Sequence, residues 1–104
     1  LPPRADAGHQ TARLKSGQLV YAIPAGRRIL TDAERALGPD HPATLMARNN
    51  LGGAYRTTGQ TGQAIEAFER ALIDAERTLG PDHPTTRAIR RNLTEARESD
   101  DGEA

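Results

Sequence analysis

The hexapeptide Leu37-Gly38-Pro39-Asp40-His41-Pro42 returns unchanged as Leu79-Gly80-Pro81-Asp82-His83-Pro84, 42 positions later. The register extends outward, so that Gly17–Leu51 lies over Gly59–Leu93 without a gap. Within it Ala22-Ile23 matches Ala64-Ile65, and Asp32–Arg35 matches Asp74–Arg77. The pattern Arg-x-Asn-Leu occurs at Arg48–Leu51 and again at Arg90–Leu93. A chain written this way folds as stacked copies of one supersecondary unit, each burying its apolar face against the next. Two periods take 84 of the 104 residues. Most of the remainder precedes Gly17, where the register fails: Asn50, Leu51 and Tyr55 would fall on Gly8, His9 and Arg13. Residues 1–16 are expected to be a degenerate helix or a flexible leader.

Each unit reads as two helices. From Pro42 to about Thr57, Leu51, Ala54 and Tyr55 fall at i, i+3 and i+4, one stripe of a helix. Gly59 ends it. From about Gly62 to Leu79 the stripe is Ala64, Ile65, Phe68, Ala71, Leu72, Ala75 and Leu79. Gly80 can turn left-handed past a helix end, and Pro81 cannot continue the helix. Asp82 or His83 then caps the next helix, and Pro84 fits its first turn, where no amide donor is needed. The flanking copies behave alike. Helices are expected at about 20–37, 42–57, 62–79 and 84–98, with Pro24 near the beginning of the first, where proline costs least. Residues 17–98 form the repeats. Residues 99–104, carrying Asp100, Asp101 and Glu103, read as a solvated acidic tail.

Composition narrows the function. Only Tyr21, Tyr55 and Phe68 are aromatic, in a chain 36% apolar, which favours close packing of alanine-rich helices over a sheet sandwich. A chain of this length is one small domain with thin stability. Fourteen basic residues balance fourteen acidic ones, which argues against a strongly basic nucleic-acid binder. No cysteine is present, so disulfides and thiol catalysis are excluded. No apolar run approaches the ~20 residues that span a bilayer. The expectation is a soluble cytoplasmic protein with no membrane and no nucleic-acid partner. Charge is unevenly spread, however. Residues 1–36 hold six basic and three acidic side chains, and the last eleven hold one basic and five acidic. That asymmetry reads as complementarity between two ends rather than as a phosphate track.

The helix pair with Leu51-Gly52, Tyr55, Gly59, Ala64, Phe68 and Ala71 resembles the tetratricopeptide repeat, which uses a small residue after the leucine, a tyrosine three further on, and Ala and Phe in its second helix. The 42-residue period and the Leu-Gly-Pro-Asp-His-Pro loop are similar to the longer variety of kinesin light chains and bacterial arrays. The chain departs from the pattern where Gly26 stands at the Phe68 position and Arg97 at the Tyr55 position. The resemblance implies an all-α fold, antiparallel helix pairs in a short superhelical array. It further implies that the first helix of each pair lines a concave face holding a peptide or partner protein, without catalytic chemistry. The groove positions it implies are Met46, Asn49, Gly53 and Arg56, then Ala88, Arg91, Glu95 and Glu98, with Asn50 and Asn92 beside them. The binding residues expected are Met46, Asn49, Asn50, Arg56, Arg91, Asn92 and Glu95. An asparagine carboxamide both donates and accepts, and so suits a peptide backbone. Arg56 and Arg91 suit carboxylates, which points to an extended or acidic peptide. The alternative for Asn50 and Asn92 is bonding to neighbouring helices.

Other functions are disfavoured. Asp40-His41 and Asp82-His83 could contribute to a metal site, but capping already explains both histidines and no third ligand cluster is visible. No metal and no cofactor are expected. Ser16 and Ser99 have no base beside them in sequence, and no strand precedes a glycine-rich loop, so the chain is not expected to be an enzyme. Gly52-Gly53 lies inside a helix, where small residues let helices approach. The expected role is a scaffold or adaptor module for protein–protein interaction. The alternative is a self-assembly segment, or a C-terminal fragment of a larger regulatory protein. Arrays usually need about three units for a stable continuous core. With two periods, the helix at 20–37 would expose a face bearing Val20, Ile23, Ile29 or Leu30, and a homo-oligomer, most simply a two-fold dimer, is expected for the isolated chain.

Overall fold

The computed structural model describes residues 16–103, with side chains described from Tyr21 to Asp100. Four helices make up this span: α1 (Ser16–Leu37), α2 (Pro42–Thr57), α3 (Thr61–Thr78) and α4 (Pro84–Glu103). They form an all-α array of antiparallel pairs. Of the degenerate helix or leader expected at residues 1–16, residues 1–15 lie outside the described residues and Ser16 opens α1. Two expectations are corrected. Helix α1 begins at Ser16, so Pro24 lies inside it rather than in its first turn, and removes one backbone bond there. Residues 99–103, expected as a solvated acidic tail beyond the last helix, are the end of α4. Arg56 Nη2 donates to Ser99 Oγ at 3.1 Å, and this bond ties the extra turn to α2.

The helix ends follow from the loop residues. Gly38, Gly59 and Gly80 adopt φ of +91°, +84° and +94°, the left-handed region open to glycine. After α2, the Gln60 amide donates to Tyr55 O (2.8 Å) and Gly59 to Arg56 O (3.1 Å), which satisfies carbonyls that the helix leaves orphaned. The next start is made by histidine. His41 Nδ1 accepts from the Ala43 amide at 3.0 Å, and His83 Nδ1 accepts from Thr85 at 3.1 Å. Of the two candidate caps, Asp82 and His83, the imidazole is the one used.

The core lies between the helices in two patches. Leu51, Tyr55, Ala64, Phe68, Leu93 and Ala96 form one, with Ile23 and Leu30 packed against it from α1. Leu45, Ala71, Ala75 and Ile89 form the other. Phe68 fills the notch left by Gly52: a Cβ there would lie 2.6 Å from the ring. Gly53, by contrast, has open space where its side chain would be, so it does not serve helix approach as expected.

Ion pairs tie consecutive helices together. Arg48 on α2 is 4% exposed and bridges Glu34 of α1 (2.6 Å) and Asp74 of α3 (3.3 Å). The first of these pairs recurs one period later, as Arg90 to Glu76 at 3.0 Å. Arg77 of α3 reaches back to Asp40 in the α1–α2 loop at 2.8 Å. The Arg77 guanidinium donating to Asp40 holds that carboxyl below its ordinary range, and the same bonds raise Arg77 further above an already high value. A contact can also keep its place and change its chemistry. Arg27 donates to the Tyr55 hydroxyl at 3.0 Å and lies over its ring, and one period on the same two positions form the ion pair Glu69–Arg97 at 2.6 Å. Arg97 therefore has a partner where Tyr55 had one.

Candidate peptide-binding face

Helices α2 and α4, each the first of a pair, lie side by side with their backbones close, whereas the backbones of α1 and α3 stay apart. The α2–α4 layer is thus the tighter side of the array and α1–α3 the wider one. Three bonds between side chains join the tight layer, the Arg56–Ser99 bond being one of them. Asn92 Nδ2 donates to Asn49 Oδ1 at 3.0 Å, and Arg56 Nη1 donates to Glu95 Oε1 at 3.3 Å.

The seven residues expected to bind fall into two groups. Asn49 is 6% exposed and its carboxamide oxygen is taken by Asn92. Arg56, half-buried, is shared between Glu95 and Ser99. These contacts join α2 to α4, and for Asn92 they match the alternative of bonding to a neighbouring helix. Asn50 and Arg91 are exposed, and no side-chain hydrogen bond engages either among the described residues. Met46, four residues before Asn50 on α2, is half-buried, and Glu95 is exposed although paired. Gly53 leaves the adjoining surface of α2 bare.

A concavity of about 710 Å³ runs along α4, lined by Arg87, Ala88, Arg91, Thr94, Glu95 and Glu98 among others. Four of these (Ala88, Arg91, Glu95 and Glu98) are the positions spaced i, i+3, i+7 and i+10 on α4. Arg87 and Arg90, also in the lining, escaped the sequence reading, although the i+3 spacing from Pro84 to Arg87 puts them on the same side of the helix. Such a surface offers guanidinium donors at one end and carboxylates at the other, on a shallow floor of alanine and threonine. It suits extended backbone and charged side chains better than a small enclosed molecule. Among the described residues, no three His, Asp or Glu side chains are grouped to hold a metal ion. No described helix is long and apolar enough to cross a membrane.

A family model, the tetratricopeptide repeat, matches residues 11–73. The chain belongs to the tetratricopeptide repeat family. No curated protein and no solved structure matches it. Tetratricopeptide repeats are interaction modules that bind protein or peptide partners. The matched span contains α1, α2 and residues 61–73 of α3, so α4 enters the array through the 42-residue period and its packing rather than through the match.

Proposed function

We propose that this tetratricopeptide repeat array is a scaffold or adaptor piece that binds an extended, acidic segment of a partner protein across α2 and α4. The observation that carries this reading is the concavity on α4, with Arg87 and Arg91 at its wall and no side-chain partner engaging Arg91. Asn50 and Met46 extend the surface onto α2. The Asn49–Asn92 and Arg56–Glu95 bonds act as positioning contacts, holding two helices at the spacing a peptide would bridge. A guanidinium pairs with a peptide carboxylate through two parallel bonds, and asparagine pairs with backbone in either sense.

The test is selection from a random-peptide display library against the immobilised 104-residue chain, beside an Arg91→Glu variant. The wild-type chain is expected to enrich acidic peptides, and the variant to lose them by about tenfold or more in affinity, as a reversed charge contact implies. Enrichment that ignores Arg91→Glu would move the site off this face.

A further inference from the structure

The 42-residue register says which contacts a helix following α4 would make, because α3 makes them with α2 and the loop before it. Asp74 of α3 meets Arg48, and Arg77 meets Asp40. One period later the receiving halves are Arg90 and Asp82, and no described helix follows α4 to supply the others. Asp82 makes no ion pair among the described residues, and Arg90 has only Glu76 and a backbone carbonyl. The donating halves nevertheless exist in the chain. Asp32 and Arg35 of α1 correspond to Asp74 and Arg77, and neither makes an ion pair among the described residues.

The apolar surfaces match in the same way. Between α3 and α4 lies a groove of about 270 Å³ floored by Leu72, Ile73 and Leu93, with Glu69 and Arg97 at its rim. Ile73 is 63% exposed there. One period earlier, the equivalent floor of Leu30 and Leu51 is walled by Gln63, Ala67 and Arg70 of α3. Their counterparts on α1 are Tyr21, Ala25 and Arg28, which continue into Asp32 and Arg35 as one helical stripe at i, i+4, i+7, i+11 and i+14. Tyr21 on that stripe is 72% exposed, and Ile29 beside it 60%. Bulk is also exchanged across the junction. Phe68 packs into the notch of Gly52, whereas the corresponding positions are Gly26 on α1 and Thr94 on α4, so the small residue changes sides.

We propose that the α3–α4 groove of one chain receives α1 of a second copy, head to tail, with Asp32 and Arg35 of the incoming copy pairing Arg90 and Asp82 of the first. The complementarity lies between two different surfaces, so the contact is heterologous and propagates into a ring or an open stack rather than closing as a two-fold dimer. It goes beyond the peptide-binding reading but shares Arg90 and Thr94 with the wall of the α4 concavity, so a copy docked there and a peptide bound along α4 would compete.

The experiment is sedimentation equilibrium of the 104-residue chain over a wide concentration range, with Arg35→Asp and Asp82→Arg variants. Both substituted residues are exposed, so each variant should keep the wild-type helical content. The wild-type mass is expected to rise with concentration from 11.2 kDa to beyond twice that value. Each variant alone should associate about tenfold more weakly, since one attractive pair becomes a repulsive one. An equimolar mixture should regain association, because every junction then alternates opposite charges again. A particle of 11.2 kDa at every concentration would overturn the proposal. So would a closed dimer indifferent to both reversals, or a mixture no stronger than its components.

Discussion

Gly52 and Gly53 are neighbours in α2, yet only Gly52 has its missing Cβ pressed against a ring. Gly52→Ala gains helix propensity worth about 1 kcal/mol but forces Phe68, 1% exposed, out of its notch. Overpacking of that kind costs about 1–3 kcal/mol, so the net expectation is a loss of about 1 kcal/mol. Gly53→Ala meets nothing and should gain about 0.5–1 kcal/mol. Urea unfolding of the two variants beside the parent checks both signs, and equal shifts would mean that the ring does not sit on Gly52. The sequence presents these glycines as one small-residue pair, because which of them faces α3 depends on helix rotation, and no residue states that directly. Asn49 is similar. Its spacing places it near the tight layer, but its pairing with Asn92 depends on how far α4 slides along α2, a distance that no local pattern contains.

At the scale of the element, the loops were the most legible part of the chain. Gly-Pro-Asp-His-Pro combines a left-handed stop, a residue that cannot continue a helix, and a proline tolerated in the next first turn. What the loop left open was which side chain accepts the orphan amide. The structure gives the task to His41 and His83, and frees Asp40 to take the guanidinium of Arg77. Replacing His41 by Ala should therefore cost about 1 kcal/mol, as loss of a cap does, while His41→Asn should keep most of it. Thermal melts of the two variants separate capping from mere bulk: equal melting points for both would remove the cap from the account. The end of α4 was not legible for the opposite reason. Ser99–Glu103 has no apolar periodicity, and the helix there is held by a contact from α2 rather than by its own pattern.

In the whole molecule, charge sets the register of the stack. Arg48 is buried between α1 and α3 with a carboxylate on each side, whereas Arg90, its counterpart, is half-exposed with one. Arg48→Met should cost about 1–3 kcal/mol, because two partly shielded carboxylates lose their cation. Arg90→Met should cost less than about 1 kcal/mol, as exposed pairs do. Denaturant midpoints of the two variants give the comparison, and equal losses would place Arg48 outside the core. The spacing of 14 between Glu34 and Arg48, repeated between Glu76 and Arg90, was present in the sequence as a signal. The burial of Arg48 was not, since it arises only when helices close on both sides. The order of helix contacts has a mechanical consequence. Among the described residues, each helix lies against its neighbours in sequence, and the single shortcut is α2 against α4. A pull applied at the two ends travels through the helices in series. Among the described residues, tension then peels α1 away first, since its backbone is close to α2 alone, and reaches the doubly braced α2–α3–α4 triangle last. Such an array yields in steps, like a spring with one stiff coil, rather than by a single rupture.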